Sequence, residues 1–83
     1  MIHMTSNLKY TIVRIRSELL TYGDIKDEYS IILNDGRSYH LWLIAYQGIY
    51  WIVGKMGSNY SGIESYENTR EAIDVYYELK KFS

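Results

Sequence analysis

The stretch from Glu28 to Lys55 constrains this chain most, because it is apolar on both alternations of a strand pattern. Residues 28–34, 38–46 and 49–55 read as three strands of alternating side chains. Asp35-Gly36 between the first two is a two-residue hairpin signal, since glycine tolerates the positive φ such a turn needs. Gln47-Gly48 is a weaker one between the second pair. With two residues in each turn, Tyr29 lies opposite Trp42, Ile31 opposite His40, Trp42 opposite Val53 and Ile44 opposite Trp51. Alternation then gives one face to Tyr29, Ile31, Leu33, Trp42, Ile44, Ile49, Trp51 and Val53. The second face receives Ile32, Tyr39, Leu41, Leu43, Ala45, Tyr50 and Ile52. A one-residue bulge at Gln47-Gly48 would exchange part of this assignment and leave both faces apolar.

The C-terminal stretch is the most regular. Residues 60–66 read as a short strand. Asn68-Thr69-Arg70-Glu71 then has the form of a capping box, in which Asn68 accepts from the Glu71 N–H and Glu71 reaches back. Ala72, Val75, Tyr76, Leu79 and Phe82 recur at helical spacing, flanked by Ile73 and Tyr77, and predict a helix over 69–81. Lys80 and Lys81 fall in its last turn, where cations suit the helix dipole. Upstream, residues 8–17 read as a first strand. Residues 18–27 leave a strand and a helical turn both open, with a turn signal at Gly23-Asp24. Residues 54–59 read as a loop or bulge. The expected fold is α+β: an antiparallel sheet of four to five strands built from consecutive hairpins, with one C-terminal α-helix packed on one face, in a single domain over 1–83.

One amphipathic helix covers only one side of such a sheet, and an open apolar face is unusual on a soluble monomer. Three arrangements satisfy the second face. The N-terminal segment folds over it, the sheet curls into a half-barrel, or the face binds a second copy or another partner. The chain contains ten tyrosines and two tryptophans. Tyrosine suits half-buried sheets and is also enriched at protein interfaces. The formal charge is −1 and the basic residues are scattered, which disfavours nucleic acid as the partner.

Cysteine is absent, which excludes disulfides and thiolate metal sites. No apolar run approaches the roughly 20 residues of a membrane helix, so no membrane partner is expected. Residues 1–7 lack the basic start and hydrophobic block of a signal peptide, so a cytoplasmic location is the expectation. His40 is a lone mid-strand histidine and reads as a packing or surface residue. Asp24, Asp27 and Glu28 read as a solvated acidic cluster. Gly54-Lys55-Met56-Gly57-Ser58 lacks the spacing of a phosphate loop, and no helix follows it directly. No catalytic, cofactor or metal site is therefore expected, and the chain reads as a non-enzyme. The candidate partner-binding residues are Tyr39, Leu41, Tyr50 and Ile52 on the second face, with Lys55 and Tyr60 in the loop before the helix. They suit a non-enzymatic module that binds a protein or itself, of the kind a phage or plasmid uses to inhibit a host enzyme.

Two segments carry a family likeness. Tyr50-Trp51-Ile52-Val53-Gly54-Lys55-Met56-Gly57 and Ser65-Tyr66-Glu67-Asn68-Thr69-Arg70-Glu71-Ala72 resemble the WGR domain family, small sheet-and-helix modules of poly(ADP-ribose) polymerases and some bacterial proteins. The resemblance spans roughly Asp27 to Phe82. It implies contacts to DNA ends or nucleic-acid backbone, with Lys55 at the signature arginine position. Val53 stands where the signature has tryptophan, and lysine offers a point charge in place of arginine's planar fork. On this pattern Lys55, Arg37 and Arg70 would cluster, with Tyr60 or Trp51 available for stacking.

Overall fold

A computed structural model describes residues 13–81 of the chain. Helix α1 covers 13–22 of these and leads through Gly23 into strand β1 (Asp24–Ile32). Strands β2 (Ser38–Tyr46), β3 (Ile49–Met56) and β4 (Asn59–Tyr66) follow, and then helix α2 (Thr69–Lys81). The strands form one antiparallel sheet in the order β1-β2-β3-β4. The expected α+β fold of consecutive hairpins with a C-terminal helix is therefore present, with four strands.

The expected first strand over 8–17 is corrected where it can be seen: residues 13–17 are helical, and 8–12 lie outside the described residues. Val13-Arg14-Ile15-Arg16 alternates like a strand, but packing decides otherwise. As a helix, Ile15 and Leu19 fall on one face. Leu19 is fully buried against Ile44 and Val53, with Ile15 and Leu20 packed beside it. The N-terminal segment thus covers the face of Trp42, Ile44, Trp51 and Val53, while α2 covers the second face of Leu41, Leu43 and Ile52, which the sequence reading had placed away from that helix. Gly23 ends the helix, its N–H donating to the Leu19 carbonyl at 2.9 Å. A Cβ at Gly23 would collide with Ile44 Cγ2 and the Leu19 carbonyl oxygen, so only glycine fits this approach.

The β1–β2 turn also differs from expectation. Its loop has three residues, Asn34, Asp35 and Gly36. The Gly36 N–H donates to the Leu33 carbonyl at 2.9 Å, and the Leu33 N–H to the Arg37 carbonyl at 2.8 Å. Gly36 takes φ of 86°, the left-handed residue that closes a three-residue hairpin. The extra residue shifts the register by one. Tyr29 pairs with Leu41 and Ile31 with Tyr39, in place of Trp42 and His40. Tyr29 and Ile31 therefore change face, and Glu28 and Ser30 take their place beside Trp42 and His40. The β2–β3 turn has two residues as expected, with Gln47 at φ 52° and Gly48 at 76°. Trp42↔Val53 and Ile44↔Trp51 pair as expected.

Each face has its own core. On the α2 side Leu41, Leu43, Ile52, Ala72 and Tyr76 are buried, with Tyr29, Tyr39, Tyr50 and Tyr66 packed around them. On the α1 side the centre is Leu19, Ile44 and Val53, flanked by Trp42, Tyr46, Trp51, Tyr60 and Ile63. The cap of α2 is in place: Asn68 Oδ1 accepts from the Glu71 N–H at 3.1 Å. At its other end Lys80 reaches Asp27 on β1, so α2 crosses the sheet from β4 to β1. Phe82, counted in the helical spacing, lies outside the described residues.

Candidate binding groove

Beside α2, on the β3–β4 side of the sheet, two glycines meet. Gly54 and Gly62 are direct partners in the β3–β4 ladder. Gly54 lies two residues beyond Ile52, and Gly62 two before Glu64, the partner of Ile52. Both therefore occupy positions facing α2, and neither contributes a side chain there. Neither has a positive φ. Strand β3 runs on through Met56, so of residues 54–59, read as a loop or bulge, only Gly57-Ser58 form a turn, and a bulge in the β3–β4 pairing falls at Gly54-Lys55.

The two glycines floor a groove of about 250 Å³. Tyr39, Leu41 and Ile52 line it from the sheet and Val75 and Leu79 from α2, while Ser61, Glu64 and Tyr66 supply its polar atoms. The Tyr66 hydroxyl donates to Glu64 Oε2 at 2.7 Å. This hydrogen bond to the carboxylate, and then burial, push the Tyr66 phenol up to about 12. Burial also raises the Tyr39 phenol. Glu64 is the one charged residue in the lining, and Glu71, in the first turn of α2, adds negative potential at Tyr66.

The structure divides the six candidate residues. Tyr39, Leu41 and Ile52 meet in the groove. Leu41 is 1% and Ile52 5% exposed, so both are core residues beneath α2, on the face the sequence reading had placed away from that helix. Tyr50 packs on the same core but does not line the groove. Lys55 and Tyr60 lie on the α1 side, because alternation turns Lys55 away from Gly54 and Tyr60 is its partner. A bulge in β4 leaves Ser61 unpaired and aims Tyr60 at Trp42.

On that side Tyr60 is the centre of an aromatic and cationic cluster. The Arg16 guanidinium sits 3.8 Å and Lys55 Nζ 5.3 Å from its ring centroid. Trp42 stacks beside it at 6.3 Å, and His40 stacks on Trp42 at 4.0 Å. The Trp42 indole N–H donates to Glu28 Oε1 at 2.8 Å, and His40 Nε2 lies 3.0 Å from the same oxygen. The expected cluster of Lys55, Arg37 and Arg70 is not formed. Arg37 is bound to Asp35 in the β1–β2 turn. Arg70 pairs with Asp74 at the start of α2, at the other end of the sheet from the Gly57-Ser58 turn that follows Lys55.

Gly54, Gly62, Glu64, Val75 and Leu79 were absent from the candidate list. The signal for the glycines was their spacing along two strands that pair. It becomes readable only once the β4 bulge is known. Arg16 was hidden by the strand reading of its segment.

Fold and site together define a class: a four-stranded meander closed by a helix on each face, with an apolar groove floored by glycine. No protein-family model, curated protein or solved structure matches the chain significantly. Among the described residues no helix is long and apolar enough to cross a membrane.

Proposed function

We propose that this chain is a non-enzymatic binding module that engages a protein partner through the sheet surface beside α2. The observation that carries this reading is the groove itself. Tyr39, Leu41, Ile52, Val75 and Leu79 of its walls pack in the α2-side core, and its mainly apolar lining carries polar groups of Ser61, Glu64 and Tyr66. Preformed apolar concavities with a few placed polar groups are the usual form of a recognition site. A module that occupies a host enzyme on behalf of a phage or plasmid is one use of such a surface. The test is capture from the source cell by the immobilised protein, followed by mass measurement of the complex rebuilt from purified parts. A defined stoichiometric complex is expected, either with another protein or with a second copy. A chain that stays monomeric and retains nothing specific would refute the proposal.

A second reading has one observation in its favour. Arg16, Lys55 and Trp42 surround Tyr60, a grouping of cations and rings of the type that holds single-stranded nucleic acid. It matches the WGR resemblance at Lys55. Gel shifts at low salt with duplex, nicked and single-stranded probes test it. Binding that falls when Lys55→Ala is introduced would support it, and no shift with any probe would remove it.

A further inference from the structure

Gly62 has no evident structural reason to be glycine. Its φ is not positive, and a Cβ there would meet nothing within 4 Å. Gly23, by contrast, is crowded on two sides. Glycine inside a strand weakens it and commonly marks a place where another backbone or a ligand approaches closely. The open space above Gly62 is the groove.

Two further facts say what approaches. First, β4 is an edge strand: among the described residues it pairs with β3 alone, and its residues Ser61 to Glu64 all border the groove. An edge strand presents unpaired backbone groups to an incoming extended chain. That chain would lie about 4.8 Å beyond β4 and send alternate side chains to the α2 side. With no Cβ at Gly62, one of those side chains can lean across β4 onto this open position, while Ser61 and Leu41 already cover Gly54 behind it. Second, the volume of about 250 Å³ suits one large side chain, below the roughly 300–1,000 Å³ of small-molecule pockets. The charge at the rim is negative, from Glu64 with Glu71 nearby.

We infer that β4 and the groove beside it receive an extended peptide segment of the partner, which pairs with the β4 edge, places one large apolar side chain over Gly62 and sets a neighbouring basic residue against Glu64. This rests on the protein-binding reading and specifies its partner.

The probes are short labelled peptides measured by fluorescence anisotropy. One carries Phe between two Arg, a second the same Phe between two Glu, and a third replaces the Phe of the first by Ala. The Arg-flanked peptide is expected to bind, with about tenfold loss on Phe removal and about two- to fivefold preference over the Glu-flanked form. Gly62→Leu fills the floor into open space and should lose about tenfold or more with its circular dichroism unchanged. Glu64→Lys should reverse the charge preference, and Tyr22→Ser, on the exposed end of α1, should change nothing. Equal binding by the Gly62→Leu protein, or no preference between Arg and Glu flanks, overturns the inference. Failure of all three peptides alongside capture of a folded partner overturns it too, and leaves the protein-binding reading standing. Failure of both removes the two together.

Discussion

Lys80 Nζ in the last turn of α2 lies 3.2 Å from Asp27 Oδ2 on the edge strand β1. The pair ties the end of α2 to β1. Lys80 also lies 5.2 Å from the Tyr29 ring centroid and 5.3 Å from that of Tyr76. The Tyr76 hydroxyl is buried beside the carboxylate without a hydrogen bond of good geometry. Desolvation pushes the Asp27 carboxyl up, but Lys80 and the adjacent Tyr76 hydroxyl outweigh it and hold it below the usual range.

A depressed carboxylate adds stability above its unfolded pKa of about 3.9, and the gain disappears as pH falls through the lower folded value. Asp27→Asn should therefore be less stable than the parent at pH 7, and the gap should close on acidification below about pH 4. The Asp27 side chain is 39% exposed, so the gap is screened and is expected at about 0.2–1 kcal/mol. Urea unfolding at several pH values measures it. A gap that stays constant with pH would mean the ion pair contributes nothing.

Two glycines should respond to the same change in opposite ways. Gly23→Ala forces a methyl into Ile44 and the Leu19 carbonyl and should cost about 1–3 kcal/mol. Gly62→Ala enters open space and should stabilise by about 0.4–1 kcal/mol through the unfolded chain. Matched urea midpoints decide the point, and equal shifts of one sign would contradict it.

The seal on the α1 side of the sheet depends on Leu19. Leu19→Ala opens a cavity against Ile44 and Val53 and should cost about 2–5 kcal/mol. Tyr22→Ser, one turn on and 74% exposed, should stay within about 0.5 kcal/mol. If the two cost the same, α1 is not holding that face.

Tyr66 should titrate late because Glu64 accepts from it at 2.7 Å. Its phenol, pushed up to about 12, favours the folded state fully below the unfolded value of about 10. That contribution is lost as pH rises through the folded value. In tyrosinate absorbance, Glu64→Gln should bring one titration step down toward the others. A titration unchanged by Glu64→Gln would place the cause elsewhere.

Much of this was readable from residues alone, for local reasons. β2, β3, the turn between them and capped α2 follow from alternation, Gln47-Gly48 and Asn68. The face assignment of β2 and β3 followed with them. The start of α1 was not readable, since Val13 to Arg16 has strand periodicity and its helix packs through Leu19 on Ile44 and Val53, while for 18–22 strand and helical turn had both stayed open. The register of β1 turned on one residue, Asn34, which joined the turn. The groove was unreadable for a related reason. A bulge at Ser61 decides which β4 side chains share a face with α2, and a bulge has no strong sequence mark.

The meander order also bears on how the chain reaches this state. Every strand pairs with its neighbour in sequence, so each pairing closes a short loop at little entropic cost. Topologies of that kind fold quickly, on the order of milliseconds for mixed α/β domains. The sheet itself demands no distant encounter, and α2 closes onto β1 across a long sequence separation through Lys80 and Asp27. Stopped-flow refolding should therefore place the β2–β3 hairpin early and the Lys80–Asp27 contact late. Substitutions at Asp27 would then speed unfolding while leaving the folding rate nearly untouched.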